Sequence, residues 1–145
     1  MIDQRLAPYG VFALRAALGI MFVAHAYLKY AIFTVAGFEG YLGSLGLPVL
    51  LAWPIILAEL IGGIAILVGY HSRLFSLALL PILLGALAVH FPNGWVFSAP
   101  NGGWEFPAFL AVGALAHALI GDGAFALRST PASVINTGRS AIAAA

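Results

Sequence analysis

PVLLAWPIILAELIGGIAILVGY, residues Pro48–Tyr70, decides the fold: 23 residues carry one charge, Glu59. At ~1.5 Å rise per helical residue, such a run crosses the ~30 Å hydrocarbon core of a bilayer. Three further segments have the same character. Pro8–Tyr30 is apolar apart from Arg15, His25 and Lys29, and its leading proline suits a helix start. Leu74–Phe91 holds Pro81 in its middle, where the missing N–H and the ring predict a kink. Glu105–Ile120 is the shortest and is expected to lean on its neighbours. The expectation is an all-α fold, an integral membrane four-helix transmembrane bundle over residues 1–127. Residues 128–145, small and polar, read as a flexible cytoplasmic tail.

Composition excludes the main alternatives. The chain of 145 residues is 63% hydrophobic and 8% charged, with a mean hydropathy of +1.05. Soluble domains are roughly 25% charged, so the natural solvent of this surface is lipid. A net charge of +1 provides no basic patch for phosphates, which sets nucleic acid aside. The absence of cysteine excludes disulfides, thiolate metal sites and thiol catalysis, so a redox role must borrow its electron carrier. The chain has no P-loop, dinucleotide fingerprint, nucleophile elbow or zincin motif.

The connections orient the bundle. His71, Ser72 and Arg73 make a tight polar turn, whereas residues 31–47 and 92–104 are long, Gly-rich and aromatic. Four crossings place both termini beside the tight turn, with Arg5, Arg73, Arg128 and Arg139; the opposite face offers only Lys29. The positive-inside rule then puts both termini in the cytoplasm. Trp53, Trp95, Trp104, Tyr9, Tyr30 and Tyr70 fall near helix ends, at headgroup level. Arg5 before an apolar run ending in Ala24-His25-Ala26 resembles a signal peptide, but Arg15 interrupts that run and cleavage is not expected. Each half pairs an outer-end histidine (His25, His90) with a loop acid (Glu39, Glu105), but no residue run repeats. Gly37, Gly40, Gly43 and Gly46 read as a folded-back interfacial loop with Glu39 exposed.

Ionisable groups at bilayer depth cost at least about 2.5–3.5 kcal/mol each, so they pair and face the bundle interior. Arg15 lies roughly 10 Å, and Glu59 roughly 16 Å, from the cytoplasmic ends of their helices, which predicts an Arg15–Glu59 pair. Such a pair either sets helix register or acts as a proton relay or ligand anchor. Arg15, Gly19, Phe22, Ala26 and Lys29 share one face, with His25 on its flank. His25, Lys29, His90 and Glu105 are expected to converge on one external mouth beside Trp95 and Trp104. Two histidines with a carboxylate can ligate a metal, and two facing histidines can hold haem, but neither has motif spacing; no metal site is assigned. His117 reads as a helix C-terminal cap near Gly121, Asp122 and Gly123.

Taken together, His25-Ala-Tyr-Leu-Lys29, Leu47-Pro48, Glu59-Leu-Ile-Gly-Gly63, Gly69-Tyr-His-Ser-Arg73, His90, Gly102-Gly-Trp-Glu-Phe106 and Gly121-Asp-Gly123 resemble the DoxX family of small bacterial membrane proteins. The likeness runs from Leu14 to Leu127. It departs at Ala26, where the family commonly has glycine, and at Asp122, where proline is frequent. The resemblance implies a four-helix inner-membrane protein. Some relatives are subunits linked to quinone-dependent sulfur or respiratory oxidation, and others partner redox or stress enzymes.

The resulting expectation is a quinone-interacting redox protein or redox-complex subunit. Glu59 with Arg15 would handle protons as the catalytic pair, while His25 and Lys29 hydrogen-bond a quinone oxygen and His90 and Glu105 complete the ligand-binding mouth. No tightly bound cofactor is evident. A protein partner or a homo-oligomer is expected within the lipid bilayer. The alternatives are a non-catalytic anchor or assembly subunit for a partner protein, and a small-solute carrier lined by the Arg15–Lys29 stripe.

Overall fold

A computed structural model describes residues 3–131. The expected tail lies mostly outside these residues, from 132 to 145. Among the described residues there are five α-helices: α1 Ala7–Tyr27, α2 Val35–Ser44, α3 Ala52–Val68, α4 Ser72–His90 and α5 Glu105–Ile120. Apart from an isolated bridge between Tyr70 and Arg128, the described residues contain no β-structure. A π-helical turn, Leu28–Ile32, extends α1, and single 3₁₀ turns precede α3 and follow α4.

The long helices run up, down, up and down, with α1 against α3, α3 against α4, α4 against α5, and α5 closing on α1. Three spans are long and apolar enough to cross a membrane: Ala7–Ile32, Val49–Val68 and Ser72–Asn93. The fourth, α5, has 16 residues, about 24 Å at 1.5 Å per residue, and is carried by its neighbours. Leu18 and Phe22 of α1, Ile66 of α3, Leu79 and Leu83 of α4, and Leu110 and Ala114 of α5 form one core. Outside it, large apolar side chains such as Ile61, Leu84, Phe109 and Leu119 are exposed, as a lipid-facing surface requires.

Close approach of α1 and α3 depends on glycine. A Cβ at Gly19 would lie 2.7 Å from Leu67, and one at Gly63 2.9 Å from Phe22 and from the Val23 backbone. Because lipid is as apolar as a buried leucine, contact of this kind, rather than hydrophobic expulsion, drives association in a bilayer.

The expectation for the first outer loop changes. The Gly-rich outer segment is helical rather than a folded-back loop. Thr34 Oγ1 accepts from the Gly37 N–H and caps α2, while Phe38 and Leu42, one turn apart, bury against Ala52 and Ile56. Tertiary burial of those two side chains outweighs the helix cost of about 1 kcal/mol per glycine; Glu39 is half-buried, not exposed. Pro81 lies inside a helix that continues from Ser72 to His90, on its exposed side.

Candidate functional site

Glu59 is a buried carboxylate in a membrane-spanning helix, and its partner is Lys29. The Lys29 ammonium donates to both carboxylate oxygens, at 2.8 and 2.7 Å. Glu59 keeps 5% of its side-chain surface exposed and Lys29 16%. The π-helical turn bears on this geometry because Lys29 lies just beyond the point where the 3.6-residue period of α1 ends. Phe38 of α2 places its ring 5.7 Å from the ammonium, so the lid formed by α2 lies beside the pair at the outer end.

Arg15 does not pair with Glu59. It lies against Gly69, at the far end of α3, about 15 Å from Glu59 at 1.5 Å per residue, more than a guanidinium stem spans. There it donates to the carbonyl oxygens of Asp122, at 2.6 Å, and Phe125, at 3.1 Å. Gly69 ends α3 in the left-handed conformation, φ +73°, and a Cβ there would strike the guanidinium. Arg15 therefore holds the segment after α5 onto the bundle, as a cation satisfying peptide carbonyls.

Asp122 organises the rest of that end. Its carboxylate accepts from the Ser72 hydroxyl (2.7 Å), the Arg73 N–H (3.3 Å), and the Thr130 N–H (2.8 Å) and hydroxyl (3.0 Å). An acid after α5 thus caps α4, whose own preceding residue, His71, makes no side-chain cap. Burial opposes the charged form, but the bonds from Ser72, Thr130 and Arg73 outweigh it and hold the Asp122 carboxyl below its ordinary value. Arg128 also joins the body, through backbone bonds to Gly69 and His71, so the chain stays docked past the expected tail boundary.

His117 is not a helix cap. Its ring is fully buried, with Nδ1 2.8 Å from Ser76 Oγ and Nε2 3.4 Å from Ser72 Oγ. Since Ser72 donates to Asp122, its oxygen is left to accept from Nε2–H while Ser76 donates to Nδ1, an assignment made from the network. Ser72 and Ser76, one turn apart on α4, were the sequence signal for this buried polar path.

Three residues of the expected external mouth are committed to protein groups. His25 donates from Nδ1 to the Met21 carbonyl at 2.7 Å and stacks on Phe106, centroids 5.6 Å apart. His90 Nδ1 lies 3.0 Å from the Asn101 and 3.1 Å from the Gly102 carbonyl oxygens. Glu105 accepts from the Phe97 N–H at 2.8 Å. His90 and Glu105 therefore brace the second outer loop, where Trp95 and Trp104 pack edge to face. Among the described residues no three His, Asp or Glu side chains form a group able to hold a metal.

An apolar groove of about 280 Å³ runs between α1 and α3; Tyr30 and Leu60, the chain neighbours of Lys29 and Glu59, line it, but neither member of the pair does. Ala26 and Ile56, each three residues before a member of the pair, are buried at its floor. Tyr30 and Trp53, centroids 6.3 Å apart, stand at its outer end.

The fold and the buried ion pair define a polytopic helical membrane protein. The DoxX family profile matches residues 10–92, more than half of the chain, and the protein belongs to the DoxX family. A relative in Bacillus subtilis (strain 168), named "Putative oxidoreductase CatD", is 35% identical over 81 residues, 54% of this chain. The match spans only 57% of that relative's length. No solved structure gives a significant match.

Proposed function

We propose that this protein is a quinone-interacting redox protein or the membrane subunit of a redox complex, with Lys29 and Glu59 as its working residues. One observation carries the reading: two ammonium N–H groups of Lys29 are taken by Glu59. Of the three that an ammonium possesses, this leaves one to donate to a ligand oxygen. A quinone carbonyl suits that donor, and the adjacent apolar groove suits the remainder of such a molecule. A bound quinone would supply two-electron chemistry coupled to protons. Glu59 would exchange the proton, and Lys29 would orient the oxygen and stabilise negative charge on it. His25, one turn before Lys29, commits its Nδ1–H to Met21 and keeps Nε2 as an acceptor, which suits a hydroquinone O–H rather than a quinone carbonyl.

The oxidoreductase name of the Bacillus subtilis relative supports a redox role. With no cysteine in the chain, electrons must come through a partner protein or the quinone itself. Arg5, Arg73 and Arg128, at the end where the described residues begin and finish, support an inner-membrane protein with both termini cytoplasmic. A second reading, an anchoring subunit, is favoured by the commitment of Arg15, Asp122, His90 and Glu105 to internal bonds.

Quinone extraction from protein purified in mild detergent separates the two. Near-stoichiometric quinone in wild type, lost in folded Glu59→Gln and Lys29→Met, is expected. Folded wild-type protein without quinone would overturn the redox reading in favour of the anchor.

A further inference from the structure

Two very different turns join α2 to the bundle. At its far end Gly46, φ +73°, takes the left-handed conformation that glycine accepts freely, and the Leu47 N–H donates to the Leu42 carbonyl at 3.0 Å. At its near end stands Thr34, with φ +61° and ψ 156°, a region of backbone space essentially reserved for glycine. Among the described residues it is the only β-branched side chain at positive φ, where steric conflict with the backbone is severe. The strained residue thus lies between the π-helical turn that carries Lys29 and the helix that covers Lys29.

α2 is also lightly held. Phe38 and Leu42 bury against Ala52 and Ile56 in a cluster separate from the main core, and Val35 and Glu39 are half-buried. Its remaining positions are exposed, and Gly37, Gly40 and Gly43 weaken the helix from within. Few buried apolar contacts on an exposed element mark one that opens locally without global unfolding. What the closed helix covers is the ion pair: the Phe38 ring lies over the Lys29 ammonium, and Ile56, packed beneath Phe38 and Leu42, is one turn before Glu59.

We infer that α2 is a hinged lid over Lys29 and Glu59, strained at Thr34 and latched by Phe38 and Leu42, whose opening admits a ligand oxygen to the ammonium. Closing buries two side chains; opening relaxes Thr34. These opposed effects keep the open form a minor population that a ligand can draw upon. A ligand that binds only the open form raises its population, and the open fraction in turn scales the apparent affinity, so lid opening and ligand affinity move together. The lid rests on the reading of this pair as a quinone site only for the identity of the ligand. Thr34→Gly removes the strain without touching the latch, and that relief exceeds the added chain entropy of glycine. The open fraction should fall roughly three- to tenfold.

Because the chain has no cysteine, Ala52→Cys supplies a single thiol, at a position fully buried under Phe38 and Leu42. In the full chain in phosphatidylcholine nanodiscs, its rate of reaction with a water-soluble maleimide reads the open fraction. Phe38→Ala should speed this reaction by about tenfold or more, and Thr34→Gly should slow it roughly three- to tenfold. A benzoquinone with a ten-carbon tail should speed it in the Ala52→Cys background but not in folded protein that also carries Lys29→Met. The dissociation constant of that quinone should rise in Thr34→Gly by the same factor as the labelling rate falls. Faster labelling in Thr34→Gly, or a thiol that stays unreactive in folded Phe38→Ala, would overturn the lid. Saturable quinone binding with an affinity that Thr34→Gly leaves unchanged while labelling slows would overturn the gating and leave the quinone reading intact. Labelling that responds to both lid variants, in protein with no saturable quinone binding, would support the hinged lid and remove quinone as its ligand.

Discussion

Removing one member of the Lys29–Glu59 pair should cost far more than removing both. Lys29 engages both carboxylate oxygens, and only 5% of the Glu59 side chain meets the surface. In Lys29→Met the carboxylate stays buried without a counter-charge, a situation that costs about 3–5 kcal/mol in proteins. The 16% exposure of Lys29 leaves some path to solvent, which puts the expected loss at the lower end, about 3 kcal/mol. That is roughly a hundredfold in the folding equilibrium. The double variant Lys29→Met/Glu59→Leu removes both charges and their desolvation, so it should lie within about 1 kcal/mol of wild type or above it. Reversible unfolding in mixed micelles by added sodium dodecyl sulfate, followed by far-ultraviolet circular dichroism, measures all four proteins of the cycle: wild type, Lys29→Met, Glu59→Leu and the double variant. Single-variant losses below about 1 kcal/mol, or a double-variant loss equal to the sum of the singles, would refute the assignment of these two groups as a coupled buried pair. If the double variant folds well yet carries no quinone, the pair is present for function rather than for stability.

Three further outcomes follow from the same geometry. Gly63→Val should destabilise by about 2–3 kcal/mol through overpacking against Phe22 and Val23, whereas Gly85→Ala, with open space around its Cβ, should be neutral or stabilising by up to about 1 kcal/mol; melting in detergent that shows equal effects would contradict the close α1–α3 contact. Arg15→Met should speed hydrogen exchange at the amides of Ala124, Leu127 and Arg128, which bond to Pro8, Val68 and Gly69, without changing quinone content; lost quinone with unchanged exchange would instead return Arg15 to the site. The depressed Asp122 pKa means that its contribution to stability is fully present above the unfolded carboxylate value of about 3.9 and is lost as pH falls through the lower folded value. Asp122→Asn should therefore lower stability at neutral pH and flatten the decline below about pH 4 expected of wild type in acid titration, and an unchanged acid limb would contradict the role given to the carboxylate.

Spans were legible because hydropathy is a property of each segment. Glu105–Ile120 matches α5 end to end, and the other three spans match to within a few residues. Partner choice was not legible. Arg15 on α1 and Lys29 in its π-helical extension are both cations of the first span, and choosing between them for Glu59 requires the axial offset of that span against α3. That offset is set where Gly19 meets Leu67 and Gly63 meets Phe22, a contact between residues more than forty apart in the chain. Likewise α2 was hidden, because three glycines weaken every local helix signal, and only the burial of Phe38 and Leu42 reveals it.

By itself, then, the sequence determined the apolar solvent, the four long apolar helices and the need for Arg15, Lys29 and Glu59 to find polar partners, since apolar runs and buried charges carry their free-energy cost wherever they fold. Only the tertiary structure decided that Lys29 takes Glu59, that Arg15 and Asp122 tie the segment after α5, and that His90 and Glu105 brace a loop. Each of those outcomes depends on which donor arrives within about 3 Å of which acceptor, a distance set by helix packing and by the π-helical turn rather than by any single segment.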